Sequence, residues 1–227
     1  MKTNGSAVVL VVGLAAAALC LSGYSIGASA AARGSAAAAA TAAPLSKDER
    51  KVVLAGGCFW GMEAVFDDLK GVSNVVSGYS GGSKATAHYE MVSTGLTGHA
   101  ESVQISYDPS KISFDQLLKV YFTVAHDPTE LNRQGPDDGS QYRSEIFYTT
   151  EDQKKAVQEY IARLAHAKAF HDPIVTKVAP LDAFYPAERY HQHFVALNPN
   201  YPYVVFNDRP KLEQLRQKFP DLVKSAR

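Results

Sequence analysis

One cysteine in a glycine-rich segment is the residue of this chain best suited to covalent chemistry. Cys58 lies in the run Gly56-Gly57-Cys58-Phe59-Trp60-Gly61, directly after the apolar residues 52–55. The apolar residues that follow recur at spacings of three and four, which predicts a helix (Met62, Val65, Phe66 and Leu69). Cys58 is therefore expected in a strand-to-helix turn, where unpaired backbone N–H groups and the helix dipole favour an anion. We expect the pKa of this thiol to lie below about 8.5, which makes the nucleophilic thiolate accessible.

Phe59 and Trp60, the only tryptophan of the chain, come directly after this sulfur. A reactive sulfur beside two large apolar rings suits a small electrophile that is partly apolar. The alternative is that Cys58 acts only as a small buried hydrophobe, as free cysteines commonly do.

The composition excludes several classes of function. The 227 residues include 23 basic and 23 acidic side chains, so no net charge favours nucleic acid or an acidic membrane surface. With 46% hydrophobic and 10% aromatic residues, the chain can bury a sizeable core.

The first residues have the pattern of a secretory signal peptide. Lys2 precedes an apolar stretch over residues 7–21, and Ala-x-Ala sites follow near residues 28–32. We predict a signal peptide over 1–32, an Ala-rich linker over 33–46, a catalytic domain over 47–227 and export to the bacterial periplasm. An uncleaved N-terminal anchor is the alternative, and only then would the protein contact a membrane. Leu19 before Cys20 argues against lipidation, and cleavage would leave a single cysteine.

Strand and helix patterns alternate irregularly through the rest of the chain. Apolar patterns predict strands over 72–79, 101–107, 146–148 and 175–179, and helices over 114–122, 151–168, 187–197 and 212–219. Ser113 is the expected N-cap of one helix, the strand over 101–107 is expected to be half-buried, and the long polar loop 132–143 is expected to be functional. These patterns predict an α+β fold, a small mixed sheet with helices packed on it. More specifically, we expect a two-layer arrangement on a ferredoxin-like core with additions.

Four other side chains could assist a Cys58 thiolate. Glu101 begins an apolar-faced strand, Asp137 and Tyr142 lie in the long loop, and Tyr89 is another phenol. Each has an ordinary explanation by itself, as a solvated strand end, a turn residue or a packing residue.

Taken together, the motifs of this chain resemble those of the A-type peptide methionine sulfoxide reductases. Six strings occur in the order of that family: Gly57-Cys58-Phe59-Trp60-Gly61, Gly78-Tyr79-Ser80-Gly81-Gly82, Gly98-His99-Ala100-Glu101, His126-Asp127-Pro128, Gln141-Tyr142-Arg143-Ser144 and Ala187-Glu188-Arg189-Tyr190-His191-Gln192. Pro136 and Phe194 depart from the residues common in the family, where Asn and Tyr are frequent.

The resemblance implies thiol-dependent reduction of methionine-(S)-sulfoxide, free or in proteins, as a repair of oxidative damage. The nucleophile then falls on Cys58, which becomes a sulfenic acid, and the general acid falls on Glu101. The phenols that hydrogen-bond the oxygen fall on Tyr89 and Tyr142, a further carboxylate on Asp137, and the apolar cage on Phe59 and Trp60. Because a carboxyl near pKa 4.3 is ionised at pH 7, we expect Glu101 to be buried and protonated.

Many members of that family resolve the sulfenic acid with a second cysteine nearer the C-terminus. Residues 59–227 contain no cysteine, so the chain resembles a one-cysteine member. We therefore expect an external thiol reductant, such as thioredoxin, glutaredoxin or glutathione, and no tightly bound cofactor or metal.

Three other functions remain open from the residues. A metal site at His191-Gln192-His193 is disfavoured, because residues two apart on a helix point about 200° apart. A Cys/His hydrolase could use His99, His191 or His193 to activate Cys58. A periplasmic binding module would use Phe59 and Trp60 as an aromatic pocket, and Cys58→Ser would then leave its binding nearly intact.

Overall fold

The computed structural model describes residues 49–225 of the chain. The predicted signal peptide (1–32) and linker (33–46) lie outside the described residues. The domain predicted over 47–227 is therefore seen except for its first two and last two residues.

Strands and short helices alternate through the described residues. The strands are β1 (Arg50–Ala55), β2 (Val72–Ser80), β3 (Ala100–Tyr107), β4 (Arg133–Gln134), β5 (Asp137–Asp138), β6 (Glu145–Tyr148), β7 (Lys177–Pro180) and β8 (Phe184–Pro186). The α-helices are α1 (Phe59–Asp67), α2 (Tyr89–Val92), α3 (Phe114–Val120), α4 (Glu151–His166), α5 (Phe194–Leu197) and α6 (Arg209–Lys218). None of these helices is long and apolar enough to cross a membrane.

Six of the strands form one mixed sheet in the order β7-β6-β1-β3-β2-β8. Every pair is antiparallel except β6 with β7. The elements β1-α1-β2-β3-α3-β6 follow the ferredoxin-like βαββαβ order, and their strands lie side by side as β6-β1-β3-β2. The α+β fold and its ferredoxin-like core are therefore as predicted, with β7, β8 and the β4–β5 hairpin as additions.

Side chains of the central strands alternate between two apolar clusters. Val52 and Leu54 of β1 point into the large core that α1, α3 and α6 cover, whereas Val53 and Ala55 join a smaller cluster with Phe147. The prediction that β3 is half-buried is wrong, because both of its faces are covered. Leu181 and Phe184 pack against the smaller cluster, so the second face of the sheet is also shielded from water.

The start of α3 follows the predicted capping pattern. The Ser113 side chain accepts a hydrogen bond from the Gln116 backbone N–H, and the Gln116 side chain accepts one from the Ser113 backbone N–H. Such a reciprocal pair satisfies two backbone donors that the helix itself leaves unpaired.

The single helix predicted over 187–197 is wrong. The segment contains a short 3₁₀ turn (Arg189–His191), His193 in the left-handed region at φ 54°, and then the four residues of α5. Two side chains of this segment bind β2 and the first residue of α2. Gln192 exchanges hydrogen bonds with the backbone of Ser77, and Glu188 accepts from the Tyr79 hydroxyl and the Tyr89 backbone N–H.

Candidate active site

Cys58 lies in the predicted turn between β1 and α1. Gly57 before it has φ +87°, a conformation that favours glycine, and a β-carbon there would lie 2.6 Å from the Gln134 side chain. The Gly57 backbone N–H donates to the Tyr142 carbonyl oxygen at 3.2 Å, which fastens the turn to the long loop. Cys58 is itself the N-cap residue of α1.

The Cys58 side chain is 8% exposed, yet it lines a pocket of about 200 Å³. All seven residues predicted for the site line this pocket: Cys58, Phe59, Trp60, Tyr89, Glu101, Asp137 and Tyr142. Two residues that the sequence analysis did not select, Tyr201 and Tyr203, complete the lining. The pocket therefore gathers residues from α1, α2, β3, the long loop and the segment before α6.

Glu101 is the most deeply buried acid of the pocket, with 2% of its surface exposed. Its Oε2 accepts a hydrogen bond of 3.0 Å from the Phe59 backbone N–H at the start of α1. Burial raises the pKa of Glu101 to about 8, the Phe59 N–H opposes the rise, and the negative charge of Asp137 adds to it. Glu101 is therefore predominantly protonated at pH 7, as expected from its surroundings.

The pKa of the Cys58 thiol differs from the sequence-based expectation. Burial raises this pKa well above its usual value, and the charges of Glu101 and Asp208 raise it further. The Trp60 backbone N–H lowers it, as expected at a helix start, but this single contribution is smaller. The prediction of a thiol acidified at rest is wrong, because exclusion of water and nearby carboxyls outweigh the helix terminus.

Two phenols face the same pocket. Tyr89 begins α2, and Tyr142 ends the 3₁₀ turn Ser140–Tyr142 of the long loop. Burial and then the charge of Glu101 raise the pKa of both hydroxyls, so both stay protonated near neutral pH. Tyr89 and Tyr142 can therefore donate hydrogen bonds to an oxygen bound in the pocket.

Asp137 comes to the pocket on the β4–β5 hairpin, which is the loop predicted to be functional. The Tyr203 hydroxyl donates a hydrogen bond to its Oδ2. Burial raises the pKa of Asp137, while this hydrogen bond and the charge of Lys211 oppose the rise. The hairpin thus adds a second carboxyl beside Glu101.

The apolar side of the pocket is built around Trp60. Its indole stacks on Phe194, with ring centroids 3.7 Å apart and an 8° angle between planes. Tyr201 and Tyr203 meet the indole edge-on at 6.1 and 5.8 Å. Phe194, one of the two departures from the family motifs, therefore supports the wall by its ring alone.

Four residues near the site escaped sequence reasoning: Tyr201, Tyr203, His191 and Asp208. The first two lie in the short segment 201–203, which has no periodic pattern. His191 stood in a motif but was considered only as a metal ligand or a base. In the sequence, Asp208 has the pattern of an ordinary polar residue before a helix. In the structure it is only 1% exposed, and neither of its carboxylate oxygens has a hydrogen-bond partner among residues 49–225.

The histidines proposed for other chemistry are engaged elsewhere. His191 Nδ1 accepts from the Trp60 indole N–H at 3.1 Å, and His99 bridges the Gly82 N–H and the Ser83 carbonyl. His193 Nδ1 lies 3.3 Å from Glu63, and no histidine of residues 49–225 lines the Cys58 pocket. No helix contains both His191 and His193, so the predicted separation of about 200° on a helix is wrong. In the described part of the chain, no group of three or more His, Cys, Asp or Glu is arranged to hold a metal.

Comparisons with known proteins point to one family. Residues 50–223 match the family model described as peptide methionine sulfoxide reductase. The peptide methionine sulfoxide reductase MsrA 2 of Mesorhizobium japonicum is 59% identical over 170 residues, which cover 75% of this chain and 87% of that protein. The MsrA 2 protein of Synechocystis is 53% identical over 180 residues, which cover 79% of this chain and 84% of that protein.

Two solved structures have a fold similar to that of this chain. Mxr1 of Saccharomyces cerevisiae in its reduced form aligns with a TM-score of 0.64 at 32% identity, covering 69% of this chain and 90% of that one. Methionine sulfoxide reductase A of Corynebacterium diphtheriae aligns with a TM-score of 0.59 at 33% identity, covering 70% and 80% of the two chains.

Proposed function

This chain belongs to the peptide methionine sulfoxide reductase family, and from that premise we propose that Cys58 performs the reduction in the pocket described above. The enzyme is an oxidoreductase that converts methionine sulfoxide to methionine and so repairs oxidised proteins. Its substrate is the S-epimer, free or within a protein. The observation that carries the residue assignment is a buried Glu101, whose pKa burial raises to about 8, in the same small pocket as a thiol and two phenols.

The reaction needs one proton on the departing oxygen and one new bond to sulfur. Cys58 attacks the sulfoxide sulfur while Glu101 donates its proton to the oxygen, which Tyr89 and Tyr142 also hydrogen-bond. The thiol proton returns to Glu101, so the carboxyl ends the step protonated. The new bond between Cys58 and the substrate sulfur then breaks together with the substrate S–O bond, as the hydroxyl moves to the Cys58 sulfur. Cys58 is left as a sulfenic acid and methionine leaves. Atoms balance, since the thiol and the sulfoxide become a sulfenic acid and a thioether.

The apolar wall selects what enters. Phe59 and Trp60 line the same pocket as the acid and the phenols, and they offer a ring surface to the methyl group of the sulfoxide. The high pKa of the resting thiol fits this order of events, because a protonated Cys58 is protected from adventitious oxidation. The positive end of the S–O dipole then favours the thiolate once the sulfoxide is bound.

Recovery of the thiol needs a reductant from outside the chain, because residues 59–227 contain no cysteine. One external thiol displaces water from the sulfenic acid and forms a mixed disulfide with Cys58. A second thiol then releases Cys58 and leaves as a disulfide. Thioredoxin, glutaredoxin or glutathione can each supply this chemistry.

The test is a reductase assay on separated sulfoxide epimers with dithiothreitol. Wild type should consume only the S-epimer, and Cys58→Ser, shown to be folded by circular dichroism, should be inactive. Mass spectrometry after one turnover without reductant should show one added oxygen on Cys58 and no intramolecular disulfide. Turnover by Cys58→Ser, or equal consumption of both epimers, would contradict the proposal.

We also propose that the protein acts in the periplasm, on the basis of Lys2, the apolar stretch 7–21 and the Ala-x-Ala sites. N-terminal sequencing of protein from a periplasmic fraction should find a start near residue 33. Recovery of full-length chain from the cytoplasmic fraction alone would contradict export.

A further inference from the structure

His191 supports two walls of the pocket without lining it. The side chain is 2% exposed and lies behind the aromatic side of the site. Its ring centroid is 4.5 Å from that of Tyr89 and 4.9 Å from that of Phe59. Its Nδ1 accepts the 3.1 Å hydrogen bond from the Trp60 indole N–H. One imidazole therefore contacts the phenol side and the apolar side of the pocket at once.

The hydrogen bond determines the state of this imidazole. Since the indole nitrogen is only a donor, Nδ1 must be unprotonated and the ring proton must lie on Nε2. Burial lowers the pKa of His191, which keeps the ring neutral and its Nδ1 free to accept. His191 thus acts here as an acceptor, and a protonated ring would lose this contact.

Trp60 is held from two directions by this arrangement. Phe194 covers a face of the indole by stacking, but stacking alone permits the ring to slide in its own plane. The hydrogen bond to His191 adds an in-plane restraint at the indole nitrogen. Tyr201 and Tyr203 meet the indole edge-on, so the hydrogen bond to His191 acts together with three ring contacts to set where the apolar wall stands relative to the sulfur.

We propose that His191 is a positioning residue that sets the affinity of the pocket for the sulfoxide by orienting Trp60. This inference rests on the proposed function. The wall contacts the methyl group equally in the bound substrate and in the transition state, so its displacement raises KM and leaves kcat nearly unchanged.

Two substitutions separate the acceptor from the ring. His191→Phe keeps an aromatic ring against Tyr89 and Phe59 but removes the acceptor. His191→Asn loses the ring but places an amide oxygen near the position of Nδ1. Because His191→Phe loses one neutral hydrogen bond, we expect KM for methionine-(S)-sulfoxide to rise about 3- to 10-fold in this variant. His191→Asn should stay within about twofold of wild type in KM, and both variants should keep kcat within about threefold.

Trp60 fluorescence gives a readout that does not depend on turnover, because it is the only tryptophan. Loss of the indole hydrogen bond should shift the emission to shorter wavelength in His191→Phe and not in His191→Asn. If His191→Phe does not fold, His191→Gln replaces it, because its longer side chain moves the amide away from the Nδ1 position.

The outcomes separate failure of this inference from failure of the proposed function. An unchanged KM and unchanged emission in His191→Phe would overturn the positioning role, as would equal impairment of both variants. As a control, iodoacetamide should alkylate Cys58 at the same rate in all variants. A large change in that rate would also overturn the positioning role. Absence of sulfoxide reduction by the wild type would instead refute the function, while the emission shift would still test the contact between His191 and Trp60.

Discussion

The two sides of the Gly56–Cys58 turn differ in how fully their polar groups are partnered. Behind the turn lies a rear network of four side chains: Tyr121, His126, Ser144 and Thr176. The Tyr121 hydroxyl donates to the Ala55 carbonyl at 2.7 Å, and Ser144 Oγ lies 2.8 Å from Thr176 Oγ1 and 2.7 Å from His126 Nε2. In front of the turn, the pocket holds Glu101 and Asp137, and within residues 49–225 each carboxyl accepts a single hydrogen bond.

The rear network has a consistent set of donors and acceptors. His126 Nδ1 lies 3.0 Å from the Tyr121 carbonyl, which can only accept, so Nδ1 carries the proton. Nε2 therefore accepts from the Ser144 hydroxyl. Burial lowers the pKa of His126 to about 3, which keeps this ring neutral. The network also packs directly under Gly56, where a β-carbon would lie 2.8 Å from the His126 ring.

The two sides of the turn therefore differ in their effect on stability. The side behind the turn stabilises the fold, and the side in front buries acids whose ionised forms reduce stability. Groups behind the turn are satisfied, so they stabilise the backbone that presents Cys58. Groups in front have pKa values shifted by burial, which means that folding disfavours their ionised forms. We infer that a stable rear side allows an active site whose own acids reduce stability.

The largest expected effect comes from Glu101→Gln at the front. Glutamine can still accept from the Phe59 N–H but cannot transfer a proton, so kcat should fall about 10²- to 10⁴-fold. The unfolding free energy at pH 7 should rise, because no carboxyl needs to be kept protonated. Urea unfolding and the reductase assay measure the two effects. More than a tenth of wild-type kcat in this variant would exclude Glu101 as the acid.

Activity should also depend on pH through the same carboxyl. The folded-state pKa of Glu101 is raised to about 8, so the protonated, active form is present below that pH. The kcat/KM should fall about tenfold per pH unit above 8, until another group titrates. A raised carboxyl pKa contributes stability at low pH that is lost as pH rises from about 4.5 through 8. A flat profile between pH 7 and 9.5 would contradict this assignment.

Ser144→Ala tests the rear side and should have the opposite signature. His126 Nε2 would lose its donor in a buried position, so the unfolding free energy should fall by about 1–3 kcal/mol. Folded protein should keep kcat within a few-fold of wild type, because Ser144 does not line the pocket. The control is Ser110→Ala, which removes a solvent-exposed hydrogen bond to Asp108 and is expected to change stability by about 0.5 kcal/mol or less. A loss of kcat with unchanged stability in Ser144→Ala would remove the distinction between the two sides.

Asp208→Asn should produce the smallest effect. Burial raises the pKa of Asp208 to about 6. Above that pH the buried carboxylate is ionised and reduces the free energy of unfolding, and this reduction disappears below about pH 4. The amide stays buried without a partner, so we expect a gain of only about 1 kcal/mol at pH 7. The pKa of the Cys58 thiol should also fall, since Asp208 raises it. The pH dependence of iodoacetamide alkylation measures that shift, and a rise in the thiol pKa would contradict the assigned charge effect.

Local patterns were sufficient to predict much of the molecule. The spacing of apolar residues after Cys58 predicted α1 and its turn, the alternation before Asp108 predicted β3, and Ser113 predicted the cap of α3. The motifs predicted seven of the nine residues that line the pocket, and Tyr201 and Tyr203 were missed. The predicted helix over 187–197 does not form because Glu188 and Gln192 hydrogen-bond β2 and the start of α2. These partners are distant in sequence, so no local pattern predicts the contacts.

The sequence by itself determined which chemical groups are present and that Cys58 begins a helix, because those properties depend on neighbours along the chain. Only the tertiary structure decided whether those groups are ionised and which side chains hold them in position. The thiol pKa depends on water exclusion and on carboxyls at positions 101, 137 and 208, which folding brings close to Cys58. Likewise, His191 reaches Trp60 across 131 residues of sequence, a contact that only the folded chain creates.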